Sequence, residues 1–314
     1  MATITRFVVA AFILFLSALP ASADSLGLAS GYNVFVFGNM TLANTDVEGR
    51  AAVGGNATFS NFGVGQSVAP NAAQLNLVVG GNAGLTNGQI FNGSGSAASS
   101  TLSGVGFNTP GATFTNGSSP VDFAAADVAL TSLSDSLQAL GTTGSLVSQP
   151  WGEWDLTGAN SALNVFSING SLLNTLNTFK IVAPTASTIV INVSGTSASL
   201  ANMGIFLNGS QNADWSRVIW NFYDATAINA SNIGWGGSIL APDANITFGN
   251  GQINGQVIAN SINSTGEFHN VRFNGSLPGT QGDTTPVPEP ASLVLLGLGL
   301  SGLGVRSRRW LRRS

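Results

Sequence analysis

The 314-residue chain contains no cysteine, one histidine and two tyrosines, and only 8% of its residues are charged. Each scarcity closes off some chemistry. Without cysteine there is no disulfide framework, no thiolate metal site and no cysteine nucleophile. With His269 as the sole imidazole, a zinc centre lacks its usual ligands, and no metal is expected. The basic residues number 10, and six of them, Arg6 and five arginines after residue 305, lie near the two ends. Between residues 24 and 285 only Arg50, Lys180, Arg217 and Arg272 stand against thirteen acids. Four scattered cations cannot form a phosphate-binding stripe, which excludes nucleic acid as a partner.

The two ends carry addresses rather than fold. Arg6, the apolar run Phe7–Leu19 and the small residues Ala21-Ser22-Ala23 make a signal peptide over 1–23, cleaved after Ala23 following export through the Sec machinery. At the other end Pro288-Glu289-Pro290 precedes an apolar run from Ala291 to Val305 and the arginines Arg306, Arg308, Arg309, Arg312 and Arg313. Prolines stiffen the approach, the run enters hydrocarbon, and the arginines hold the cytoplasmic side. At 1.5 Å per residue a 291–305 helix reaches about 22 Å, short of a core of about 30 Å, so it suits a temporary anchor. The string GLGLSG within it (Gly297, Gly299, Gly302) matches a dinucleotide fingerprint only formally. No strand precedes it and no acid follows at the right distance, so no cofactor is expected.

This three-part tail resembles the PEP-CTERM sorting signal of Gram-negative bacteria that make exopolysaccharide. The resemblance implies recognition by an exosortase, a membrane protease that cuts near the triplet. It places the product, after a transient stay in the inner membrane, at the cell surface or in the extracellular matrix.

The region between the ends repeats itself. MTLANTDVEG (40–49) aligns without a gap on ITFGNGQING (246–255), and ATFSNFGVG (57–65) and LTNGQIFNG (85–93) are partial copies. Asn44, Asn61, Asn87 and Asn250 fall at the turns, where asparagine and glycine tolerate left-handed backbone angles. Short alternating strands closed by such turns predict stacked β-coils, with corner asparagines linked as an amide ladder. Spacings of 17 residues (Asn44 to Asn61) and 26 (Asn61 to Asn87) make the stack irregular. The expected fold is mainly β, an irregular right-handed β-solenoid with one flanking helix, plus the signal helix and the C-terminal hydrophobic helix. Asp122 is the expected N-cap of the flanking helix near 122–140, with Leu130, Leu133, Leu137 and Leu140 on one side and Gly141 ending it. The stretch 93–119 reads as a long surface loop. Strands are expected at 164–168, 178–182, 187–193, 217–222, 239–240 and 257–258. The organisation is then a signal peptide (1–23), a β domain (24–279), a linker holding the Pro-Glu-Pro motif (280–290), a short membrane segment (291–305) and a basic tail (306–314).

The order of VFGNMTL, VEGRAAVGGN, IVINVSG, RVIWNFYDA, GWGGSILAPDANITFGNGQINGQVIA and GEFHN resembles the bacterial choice-of-anchor A domain over about Leu26 to Leu277. The resemblance implies a non-catalytic, surface-exposed adhesive module joined to one of several interchangeable anchors, and it supplies no catalytic residues.

Three constellations are candidate sites. Glu267 and His269 share a strand face and could form a general acid/base pair or a structural hydrogen bond. Asp46 and Glu48 also share a face, with Arg50 two further on. They read as paired carboxylates of the glycosidase kind or as alternating charges on a solvated sheet. Trp151, Glu153, Trp154 and Asp155 are the carbohydrate-contact candidate, because exposed indoles stack on sugar faces. Trp215, Trp220 and Trp235 are expected in the core. The Asn-x-Ser/Thr triplets at Asn56, Asn192, Asn245 and Asn263 reflect composition. Adhesion to exopolysaccharide or other surface proteins is the leading reading, and a polysaccharide-binding or polysaccharide-active solenoid is the alternative. Ice or crystal binding would need a flat threonine array, and the strands lack regular Thr-x-Thr repeats.

Overall fold

A computed structural model of the chain describes residues 25–278. The expected signal segment, linker, membrane segment and basic tail lie outside them. Among the described residues no helix is long and apolar enough to cross a membrane.

The repeats are the coils of a parallel stack. Met40–Val47 pairs in parallel with Ala57–Val64, which pairs with Leu75–Ile90, which pairs with Ser94–Phe107. The gap-free sequence alignment is the physical register. Ile246 faces Ile262, which faces Met40, so aligned residues stand two coils apart in one column. Alternation explains the local structure: Met40 and Leu42 point inward and are buried, while Thr41 points out. The chain then turns at an asparagine in the left-handed region. Asn44, Asn61, Asn87, Asn202, Asn232 and Asn250 all have φ between 44° and 56°. Their amides stack as expected: Asn61 Nδ2 donates to Asn44 Oδ1 (2.8 Å), and Asn250 Nδ2 to Asn232 Oδ1 (2.7 Å).

The first coil lies in the middle of the stack. From Val34–Val36 the coils climb to Phe114–Asn116 at one end. The helix α1 (Phe123–Gln138) runs beside the stack, and later coils return to meet the first one. The meeting is a parallel pairing of Val257 with Val34, Ile262 with Met40 and Phe268 with Val47. Two buried amides seal this seam. Asn33 Nδ2 donates to the carbonyls of Gly255 (3.1 Å) and His269 (3.0 Å), and Gln256 Oε1 accepts from Phe273 N (2.8 Å). The result is one fifteen-stranded sheet wound around an apolar interior, with a separate four-stranded sheet beside its later coils.

Each coil presents three faces. The first is covered by α1. Asp122 caps the helix as expected, its carboxylate accepting from Ala125 N at 3.0 Å, and Ala126, Leu130, Leu133 and Leu137 are its buried apolar residues. They pack on Phe35, Val190, Ile219, Leu240 and Ile258. A buried polar link fixes the docking: Asn192 Nδ2 donates to Leu137 O (2.7 Å), and Asn221 Nδ2 to Ser134 O (2.9 Å). Buried amides without partners cost about 1–3 kcal/mol each, so this pairing specifies where the helix sits. The interior holds Trp215, Trp220 and Trp235, all buried as expected, with the Trp220 and Trp235 rings 5.3 Å apart.

One expectation is overturned. The stretch 93–119 is not a long loop, because Ser94–Phe107 is a full coil and Phe114–Asn116 a further rung. Serine, glycine and alanine weaken the sequence signal for a strand, but the ladder of the preceding coil pairs this backbone over its whole length.

Candidate functional site

The second face is a sheet of eight strands that dips at one end into a depression of about 380 Å³ over Thr58, Gly84 and Thr101. Its central outward row runs through stacked register positions: Ser199, Asn229, Thr247, Asn263, Thr41, Thr58, Gly84 and Thr101. One flanking row includes Ser197, Ala227, Asn245 and Ser261, and continues through Asn56 and Asn82 to Ser99. The other includes Ala201, Ser231 and Gly249 at one end and Ala43, Ser60, Thr86 and Ser103 at the other. None of these positions carries a charge. Strand spacing of about 4.8 Å and two-residue steps of about 6.7 Å give the face a size of about 34 by 13 Å.

Its amides are held in place. Asn39 Oδ1 accepts from Asn56 N and Asn56 Oδ1 from Asn82 N, both at 2.8 Å, while Ser99 Oγ donates to Asn82 Oδ1. Each side chain is thus oriented by the next coil, leaving a regular array of hydroxyls and amide N–H groups facing solvent. Sequence reading missed the row because each coil supplies a single residue to it, a threonine in only four of the eight. The signal was present in the aligned repeats, where Thr41 matches Thr247.

The third face gathers two of the candidate constellations. Phe268 pairs with Val47, which sets Glu267 and His269 beside the strand of Asp46 and Glu48. Burial raises the Asp46 carboxyl above its ordinary range, and the negative charge of Glu267 adds to this, while the hydrogen bond from Gln66 Nε2 (2.6 Å) opposes it. Glu48 accepts from Asn270 N at 3.0 Å. His269 is held by Asn254 through Nδ1 at 2.8 Å and lies 3.4 Å from Glu267 through Nε2. Arg50 does not join them: its guanidinium lies over the Tyr32 ring, 4.4 Å from the centroid, and its Nε donates to Leu75 O. Among the described residues no cluster of acids and histidine has the arrangement of a metal site.

The tryptophan candidate divides. Trp151 is 61% exposed, but Trp154 is buried at 6%, packed on Phe179 and donating through Nε1 to Ser148 Oγ. The two indoles therefore do not form one platform. The carboxylates are engaged as well, Glu153 by Lys180 (2.8 Å) and Asp155 by Gln149 (3.0 Å). This group stands on the four-stranded sheet, apart from the acids of the fifteen-stranded one.

Residues 286–309 match the PEP-CTERM protein-sorting motif, which marks an exported, exosortase-processed protein of Gram-negative bacteria with a membrane-anchoring signal. Among curated proteins none matches the chain. Solved structures do. An ice-binding protein domain of Shewanella frigidimarina has 11% identity over 82% of this chain and 99% of that one, at a TM-score of 0.41. An ice-binding protein of the Antarctic ascomycete Antarctomyces psychrotrophicus has 18% identity over 80% and 98%, at 0.36. One from an Antarctic biological consortium has 14% identity over 82% and 93%, also at 0.36. At these scores the likeness carries nothing about the ligand. The sequence itself carries more: residues 25–270 match the family model described as "Putative Ice-binding-like adhesive domain", and the chain belongs to that family.

Proposed function

We propose that this protein is a non-catalytic adhesive module, freed from its membrane anchor by an exosortase and held at the cell surface or in the matrix. The parts would be the signal peptide 1–23, the working domain 24–279, and the linker, anchor and basic tail from 280 onward. The arrangement is that of choice-of-anchor A proteins, where one outer domain meets interchangeable tails.

The observation that carries the reading is the uncharged second face, with its rows of hydroxyls and amides. A surface of hydroxyls and oriented amides at strand spacing suits a ligand that is itself repetitive and uncharged, such as neutral exopolysaccharide. Three adjacent rows without a charge hold nothing that would select an ionised polymer over a neutral one. A second reading, an ordered ice surface, is favoured by the stacking of Thr41 on Thr58, with Thr101 in the same row beyond Gly84.

The test places lysines at Thr41 and Thr58. Both side chains point outward, so the fold should persist while capture of the native matrix polysaccharide falls at least tenfold. Unchanged capture by the Thr41→Lys/Thr58→Lys chain would remove the second face from the proposal. Growth of ice crystals shaped by the parent and not by the variant would move the ligand to ice. Intact-mass and membrane-fractionation measurements check the processing, and a permanently membrane-bound, uncut product would overturn it.

A further inference from the structure

Beside the acids of the third face lies a depression of about 390 Å³ with a different lining. It forms where the loop after Gly204–Leu207 overhangs the sheet. Six carboxamides converge on it: Gln211, Asn212, Asn232, Asn250, Gln252 and Asn254.

Part of this lining is pre-set and part is free. Asn250 Nδ2 donates to Asn232 Oδ1 (2.7 Å), and Asn232 Nδ2 to Asn202 Oδ1 (3.0 Å), so these amides are locked by the corner ladder. Asn254 is fixed by His269 Nδ1 at 2.8 Å. The loop wall is pinned by buried Trp215, whose Nε1 donates to Gln211 O at 2.9 Å. Among the described residues the side chains of Gln211, Asn212 and Gln252 have no hydrogen-bond partner, which leaves them available to a ligand.

Two glycines line the depression, and they differ. Gly251 has φ of 143°, and a Cβ there would lie 2.2 Å from Ile233 O, so the backbone requires glycine. Gly234 has no such reason. Its φ is ordinary, it sits in regular register with Gln252, and a Cβ would meet nothing within 4 Å. An open glycine in a strand leaves room for a ligand to reach the backbone, and Gly234 does so inside the depression.

From these features we infer that the depression is a binding subsite for a neutral sugar unit, separate from the second face. A carboxamide offers two donors and an acceptor in one plane, the complement of neighbouring sugar hydroxyls that each donate and accept. No charged side chain lines the site. Glu267, paired in register with Gln252, and Asp214, two residues beyond Asn212, put negative charge at its rim and disfavour anionic polymers.

The experiment uses the processed chain isolated from cells and three probes: cellohexaose, maltohexaose and oligogalacturonate, followed by titration calorimetry. At least one neutral oligomer should bind and oligogalacturonate should not. Asn212→Ala with Gln252→Ala should weaken binding about tenfold, the loss of roughly one net neutral hydrogen bond. Gly234→Val should weaken it at least as much with an undiminished melting temperature, since valine suits a strand and its Cβ meets no atom within 4 Å. The inference is overturned if neither neutral oligomer binds, if the double variant binds as the parent does, or if oligogalacturonate binds as tightly. Should Gly234→Val misfold, the double variant decides alone.

Discussion

The early and late coils solve the same packing problem with different interiors. The late coils fill theirs with Trp154, Phe179, Trp220, Phe222 and Trp235, where the early coils use Val, Ala, Leu and Phe. Coil length varies in both halves. Asn44 and Asn61 stand 17 residues apart and Asn61 and Asn87 26, while Asn202 and Asn232 stand 30 apart and Asn232 and Asn250 18. Both halves also bear a concavity, of about 390 Å³ beside Gln211 and about 380 Å³ over Thr58, Gly84 and Thr101. The filling of the interior therefore divides the molecule, and concavity does not follow coil length.

The contrast can be broken hardest at Trp220. Its ring contacts Phe179, Phe222 and Trp235, and its Nε1 donates to Gly236 O at 2.8 Å. Trp220→Ala should destabilise by about 3–5 kcal/mol in chemical denaturation. Protection from hydrogen exchange should fall first in the late coils. Equal loss in both halves would show one cooperative stack instead of two differently built regions.

Leu137→Ala should cost about 2–5 kcal/mol, because it removes a fully buried contact of α1 next to the carbonyl held by Asn192. The late coils should again respond more, since α1 contacts their strands.

In the early coils the corner asparagines are the weak point. Asn61→Ala should cost about 1–2 kcal/mol, since φ of 49° is unfavourable for a residue with a Cβ and the ladder bond to Asn44 is lost. Asn61→Gly should recover the backbone part. A glycine variant as damaged as the alanine one would assign the cost to the ladder.

The smallest expected effect is at Asp46, whose carboxyl titrates above its ordinary range in the folded chain. The native state then holds a proton that the unfolded chain has released, so stability falls as pH rises through that window. Asp46→Asn should raise the melting temperature at neutral pH, and the gain should vanish below the ordinary aspartate pKa of about 3.9. A gain that persists in strong acid would point to packing instead.

Legibility follows the same division. The repeats, the corner asparagines and the capped, leucine-faced helix were readable because each is written in contiguous residues. The coil at 94–107 was hidden by its small side chains, whose strand character comes from the neighbouring rung. The second face was hidden because its row is written one residue per coil. The approach of Glu267 to Asp46 was hidden for a further reason: it depends on a seam joining residues more than two hundred apart, which no local pattern encodes.

That seam lies in the middle of the stack, but the described chain does not leave from it. Asn274 N donates to Ser216 O and Ser25 Oγ to Gly275 O, both at 2.8 Å, and Ser276 N donates to Thr188 Oγ1 at 2.9 Å. Thr188 opens the rung next to the terminal one, Leu163–Asn169. A pull on residue 278 therefore enters near that end of the stack. The rungs from Val34–Val36 to Phe114–Asn116 lie beyond the point of load, an arm left unstrained to lie against a surface.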